Sequence, residues 1–264
     1  MNDSFLVLSQ VGLSFAGNKV LQNVDFVVPA GAVVSLIGPN GAGKTSLFNC
    51  ITGFYKPQVG SIRFDGKELL KLKPHHVTQA GIARTFQNLR LFREMTVLEN
   101  VMSGLHCRTR AGAIAAVLRT PAQRAEEREI EDFARECLQF VGVGDEEYDR
   151  DATNLAYGHQ RRVEIARALA TKPKLLLLDE PAAGLNAGEK QDLIALIARI
   201  RDERGTSVLL IEHDTGLVMK VSERISVLDH GVMIAEGTAR EIQNDPKVIE
   251  AYLGQEDAEA SLDL

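Results

Sequence analysis

The spacing of apolar residues changes along this chain, and each change marks an element. Residues 5–8 and 24–28 are short apolar runs joined through the turn formers Ala16-Gly17-Asn18, and they predict two strands. Pro29-Ala30-Gly31 breaks the pattern. The run Ala32-Val33-Val34-Ser35-Leu36-Ile37 is so apolar and β-branched that it predicts a buried strand. A helix is expected to open at Thr45. Residues 60–64 alternate and end in an Asp65-Gly66 turn. Pro74–Ala80, with Gly81 behind it, carries the start and stop signals of a short helix.

From Thr96 the period becomes helical. Thr96-x-x-Glu99 is a capping box, and residues 108–124, rich in Arg, Gly, Ala, Thr and Pro, predict an irregular stretch. Ile130, Phe133, Cys137 and Val141 then form one apolar stripe, with Glu131 and Arg135 paired on the outer face. The acidic stretch 142–151 predicts a solvated loop. Residues 97–154 therefore read as a helical insertion; with the helix that follows, the helical subdomain reaches about residue 168. Strand and helix then alternate: a helix over 163–170, a buried strand over 175–178, a helix over 189–201 and a strand over 207–211. The helix at 189–201 turns Leu193, Leu196, Ile197 and Ile200 to one face, with Asn186 and Glu189 as its cap signal. Short strands near 225–228 and 232–235 flank His230-Gly231. Thr238-x-x-Glu241 caps a short helix, and Asp245-Pro246 opens the last one. Strands separated by helices predict an α/β fold with a parallel sheet and ligands at the strand C-terminal ends. Residues 1–254 are expected to form one domain, and the acidic residues 255–264 to fray.

Composition narrows this little. The chain has 264 residues and is 45% hydrophobic, enough for a sizeable core, and its net charge of −6 argues against nucleic acid as the main partner. Cys50, Cys107 and Cys137 share no metal-like spacing and suit a reducing compartment. His75 and His76, neighbours on a helix, are expected to point apart. Residues 1–8 have no basic leader, and no apolar run approaches about 18 residues, so neither a signal peptide nor a membrane span is expected.

The candidate chemistry is concentrated at Gly38-Pro39-Asn40-Gly41-Ala42-Gly43-Lys44-Thr45, which fits Gly-x4-Gly-Lys-[Ser/Thr] between a strand and a helix. Glycines let backbone N–H groups wrap a phosphate, and the helix start, through Ser46, adds partial positive charge. Lys44 can reach the β- and γ-phosphates, and the Thr45 hydroxyl can ligate Mg²⁺. The apolar strand 175–178 ends in Asp179-Glu180. Two acids at a strand end can divide the work, Asp179 toward Mg²⁺ and Glu180 toward the attacking water.

On these residues the chain resembles, along nearly its whole length, the ATPase subunit of an ATP-binding cassette (ABC) transporter. The most specific feature is Leu155-Ala156-Tyr157-Gly158-His159, before the helix at 163–170, in the place of the family's Leu-Ser-Gly-Gly-Gln signature. The resemblance implies a P-loop ATPase core with an N-terminal antiparallel β-subdomain and an inserted helical subdomain. It also implies that Ala156, Tyr157 and Gly158 contact the ATP of a second ATPase subunit, a copy or a paralogue, so that two cassettes enclose two ATP molecules. It further implies that Gln87 senses Mg²⁺ and the permease, that His213 contacts the γ-phosphate, that residues 183–186 link the subunits, and that Phe15 stacks on adenine. Within the family the chain is similar to the branched-chain amino-acid importer group, on Ala83-Arg84-Thr85-Phe86-Gln87-Asn88, the Leu-Ala-Tyr-Gly signature and the ending Ala251-Tyr252-Leu253-Gly254. Membrane permease subunits, peripheral attachment at the cytoplasmic face and no direct nucleic-acid contact follow from the resemblance. Importers of urea or short amides, lipid or lipopolysaccharide exporters, and non-transport ABC ATPases are the alternatives. Three residues depart from the family pattern: Ala156 stands for serine, His159 for glutamine and Asn186 for aspartate. Loss of the serine donor implies a weak ATP-bound dimer, because a hydrogen bond to a charged group contributes about 1.5–3 kcal/mol.

Overall fold

A computed structural model describes residues 4–105 and 121–252. Its first sheet is antiparallel, in the order β2-β1-β4-β5, built from β1 (Ser4–Phe15), β2 (Asn18–Pro29), β4 (Val59–Phe64) and β5 (Lys67–Glu68). The second has six strands: β3 (Val33–Ile37), β6 (Ile82–Arg84), β7 (Leu175–Asp179), β8 (Ser207–Ile211), β9 (Arg224–Asp229) and β10 (Val232–Gly237). Their order is β10-β9-β3-β8-β7-β6, parallel except at the β9–β10 hairpin. The expected N-terminal strands are there, longer than the apolar runs alone indicate.

Every residue of β3, β7 and β8 is buried. Strand alternation divides these residues between two cores. Val33, Leu176, Leu178, Val208 and Leu210 pack with the helical residues of 97–200, whereas Val34, Leu36, Leu175, Leu177, Leu209 and Ile211 pack with α1 (Lys44–Ile51) and the antiparallel sheet. Burying each such side chain contributes about 1.5–3 kcal/mol. This explains the continuous apolar runs: both faces of the sheet are covered.

The helical segment comprises α3 (Val97–Leu105), α4 (Pro121–Val141) and α5 (Tyr157–Ala170), following the short α2 (Pro74–Ala80). The stripe on α4 packs inward as its spacing predicts, with Cys137 and Val141 buried and Ile130 and Phe133 partly so. Glu131 and Arg135 pair at 2.7 Å. Three sequence readings change. Residues 121–124 are helical rather than irregular, because Pro121 sits at the first helical position, where its missing N–H costs nothing. Most of 108–124, and Cys107, lie outside the described residues. The stretch 142–151 is not a plain solvated loop: Val143 and Tyr148 are buried, and a 3₁₀ turn spans Asp145–Glu147. Finally, His75 and His76 do not diverge; their ring centroids lie 4.0 Å apart.

The remaining elements are α6 (Ala187–Arg204), α7 (Thr215–Val221), α8 (Ala239–Gln243) and a final helix with described residues 246–252. Helix α7, capped by the Asp214 side chain, was not legible in the apolar pattern, since only Leu217 and Val218 are buried. The acidic stretch 255–264 lies outside the described residues.

Candidate active site

Strand β3 delivers the chain into the loop Gly38–Gly43, and α1 begins at Lys44. A side chain at Gly38 would collide with the Leu228 carbonyl of β9, so only glycine lets the loop start this close to the neighbouring strand. The start of α1 has no side-chain cap and no acidic residue in its first turn, which leaves its N–H groups for an anion. Lys44 Nζ donates to the carbonyls of Gly38 at 2.6 Å and Pro39 at 2.8 Å. Burial lowers the Lys44 pKa, and the charges of Glu180 and Asp179 act against that shift. A cavity of about 220 Å³ opens here, lined by Val20, Asn40, Lys44, Thr45, Glu180 and His213 among others. Gly41, Ala42, Gly43 and Ser46 complete its floor.

Asp179 closes β7 and is buried. Its Oδ2 pairs with Arg84 Nη2 at 2.7 Å, while Oδ1 is buried and has no hydrogen-bond partner. Glu180 follows in a left-handed backbone conformation, φ 49°, its N–H bonded to the Ile211 carbonyl at 2.9 Å. The Gln87 amide donates to one Glu180 oxygen at 2.8 Å, and His213 Nε2 lies 3.2 Å from the other. Gln87, after β6, and His213, after β8, thus meet the carboxylate that follows β7, and it shares a cavity with the β3–α1 loop at the C-terminal edge of the sheet, where the topology predicts ligands.

Two contributors were not singled out by sequence reasoning. Arg84 reaches Asn49 Oδ1 at 2.6 Å as well as Asp179. The second is Glu212, buried between two turns. It accepts from the N–H groups of Ala182 at 2.7 Å, His213 at 3.0 Å and Asp214 at 3.3 Å, tying the turn after Glu180 to the one carrying His213. Burial raises the Glu212 pKa, and the three N–H groups oppose the rise. A lone Glu beside His213 offers no spacing by which sequence reasoning could single it out.

The structure does not bring every sequence-predicted residue to the cavity. Phe15 lies at the end of β1, exposed, with its ring edge-on to Tyr55 at 5.1 Å. Ala156, Tyr157 and Gly158 are absent from the cavity lining. They open α5: Ala156 is its N-cap, and the helix starts at Tyr157, earlier than the expected 163 because the signature residues form its first turn. A side chain at Gly158 would meet the Glu189 carboxylate, which caps α6 together with Asn186. His159 Nδ1 sits 2.7 Å from Glu147, an intrachain partner.

A central parallel strand running into a Gly-Lys-Thr loop, with an acidic pair at the edge of the same sheet, defines a P-loop nucleotide hydrolase. Comparison with known proteins narrows the class. The family model "ABC transporter" matches residues 21–183, and "Branched-chain amino acid ATP-binding cassette transporter" matches 232–258. The chain is 48% identical to the high-affinity branched-chain amino acid transport ATP-binding protein BraF of Pseudomonas aeruginosa, over 97% of this chain and 100% of that protein. It is 46% identical to the corresponding protein LivG of Escherichia coli, over the same shares. A lipopolysaccharide export ATP-binding protein, LptB of Haemophilus influenzae, is 35% identical over 96% of this chain and 98% of that protein. Among solved structures, an ATP-binding cassette of an ABC transporter in its ADP conformation aligns with a TM-score of 0.83 and 34% identity, over 95% of this chain and 99% of that one. A dimeric cassette bound to ADP and Pi aligns at 0.76 and 27%, over 89% and 99%. The chain belongs to the ABC transporter ATP-binding family and is an ABC-type ATPase.

Proposed function

We propose that this chain is the ATPase subunit of an importer for branched-chain or related amino acids, acting as one of two cassettes attached to permease subunits at the cytoplasmic face of a membrane. The observation that carries the chemistry is Glu180, set in a left-handed turn beside Lys44, with Gln87 on one oxygen and His213 on the other. A carboxylate so restrained is able to take a proton from an attacking water. The full-length identity to BraF and LivG supports the substrate class. No described helix is long and apolar enough to cross a membrane, so attachment through other subunits is the consistent arrangement.

The residues present fit Mg²⁺. Asp179 Oδ1 is a buried acceptor without a partner, and Thr45 lines the phosphate cavity. Among the described residues no group of three or more His, Cys, Asp or Glu gathers; an ion held by one carboxylate, one hydroxyl and the nucleotide's phosphates needs none. When bound, Mg²⁺ neutralises charge developing on the β- and γ-phosphates. The chain does the rest. Loop N–H groups and Lys44 bind phosphate, with Lys44 exchanging its two carbonyl partners for it. Glu180 accepts the water proton, Gln87 and His213 hold Glu180 in orientation, and Phe15 offers an exposed face for adenine. The absence of Ala156–Gly158 from the lining of the loop cavity supports a site completed by the same turn of a second subunit.

The test is co-expression with permease subunits and their binding protein, followed by ATPase assay in membranes. Stimulation by leucine, isoleucine or valine is the expected result. Stimulation by urea or short amides alone would replace the substrate class. Co-purification with lipopolysaccharide-export components, which the 35% identity to LptB favours as the second reading, would replace the importer.

A further inference from the structure

The segment bearing Gln87 changes its attachment between Thr85 and Phe86. Thr85 belongs to the sheet: its N–H donates to the Leu177 carbonyl at 2.9 Å, and its hydroxyl oxygen accepts from the Asp179 N–H at 3.4 Å. The bonds that follow go to the helical segment. The Phe86 N–H donates to Glu164 Oε1 at 3.3 Å. The carbonyls of Phe86 and Gln87 accept from the two terminal nitrogens of Arg161, at 2.8 and 3.0 Å. Further along, the Arg90 carbonyl accepts from Arg167 at 2.6 Å. Arg161, Glu164 and Arg167 recur at every third residue along α5, so one helix face holds the loop.

Arg161 and Glu164 are each 1% exposed and pair at 2.7 Å. Burial raises the Glu164 pKa against the pull of Arg161. A buried ion pair is often no better for stability than apolar residues of the same size. An apolar pair, however, could not bind main-chain groups. The planar guanidinium fork spans two successive carbonyls, a geometry lysine lacks. Arg161 Nη2 also donates to the Tyr157 hydroxyl oxygen at 3.3 Å, so one side chain joins the first turn of α5 to the loop.

We propose that Arg161 and Glu164 are positioning residues that make Gln87 follow α5, so that a shift at the Ala156–Gly158 turn reaches Glu180 through the Gln87 amide. The inference rests on the ATPase reading above, with Glu180 as the proton acceptor. The site that senses the neighbouring subunit's nucleotide and the site that cleaves the chain's own are then linked within one chain by a clasp on the loop backbone.

The test uses the full-length chain, steady-state ATP turnover and binding of a fluorescent ATP analogue. In the double variant Arg161→Met/Glu164→Leu, analogue affinity and KM should stay within about twofold of wild type while kcat falls about tenfold or more. Adding Gln87→Ala should lower kcat no further than Gln87→Ala alone, because the clasp acts through that side chain. Arg161→Lys, able to keep the ion pair but not both carbonyls, should fall in between; if the double variant does not fold, this variant combined with Gln87→Ala carries the test. An unchanged kcat, or losses that multiply with Gln87→Ala, overturns the proposal. A wild-type chain without ATP turnover, alone and with its permease, overturns the ATPase reading and this inference with it, a failure distinguishable because it precedes any variant.

Discussion

At Glu180 the backbone holds φ 49°, a left-handed conformation that costs a residue with a side chain about 1–3 kcal/mol. The Glu180 side chain lines the loop cavity, with the carboxylate between Gln87 and His213. If Glu180 is the base proposed above, Glu180→Gln keeps the shape and removes that base, so ATP binding should persist while turnover drops about 10²–10⁴-fold in a single-turnover assay. Asp179 presents the opposite case. Its sequence position marks it plainly, but its partner Arg84 does not stand out, because the motif containing it is recognised by Gln87. Arg84→Ala leaves the buried Asp179 carboxylate with neither oxygen paired and should lower unfolding stability by about 3–5 kcal/mol, measured by urea titration. Glu212 was invisible because the partner that gives it its role, the Ala182 N–H, lies 30 residues away.

Helix caps and turns were legible because their physics is local. The boxes at Thr96-Glu99, Asn186-Glu189 and Thr238-Glu241 all form, each within four residues of chain. Asn186 stands where the family usually has aspartate, and here its side chain accepts the Glu189 N–H at 3.0 Å. Asn186→Ala should cost about 1 kcal/mol of stability, seen as a shifted denaturation midpoint with unchanged slope. Elements whose stability is not local escaped. Tyr148 sits in an acidic, solvent-like stretch, yet it is buried, with the Arg135 guanidinium 5.3 Å from its ring centroid. Nothing within ten residues of Tyr148 announces that partner.

For the whole molecule the decisive arrangement is that Ala156–Gly158 do not line the cavity of the Gly38–Thr45 loop in the same chain. If a second subunit completes each site, Ala156→Ser restores a side-chain donor at the helix start. Placed in the Glu180→Gln background to hold ATP, it should tighten ATP-driven dimerisation about tenfold or more, measured by light scattering against concentration. An unchanged dimer would overturn the reading that loss of the serine donor weakens the ATP-bound dimer.

The sequence alone determined the phosphate loop, the acidic strand end, the strand–helix alternation and the family, since each depends on residue type at short fixed spacing. Tertiary structure alone decided which groups converge on Glu180, that Arg84 neutralises one oxygen of Asp179, and that Arg161 and Glu164 hold the Gln87 loop to α5. Those relations join residues 33 to 95 positions apart. A contact to a residue far along the chain carries no spacing signal, so such roles are set only when the sheet and the helical segment pack around them.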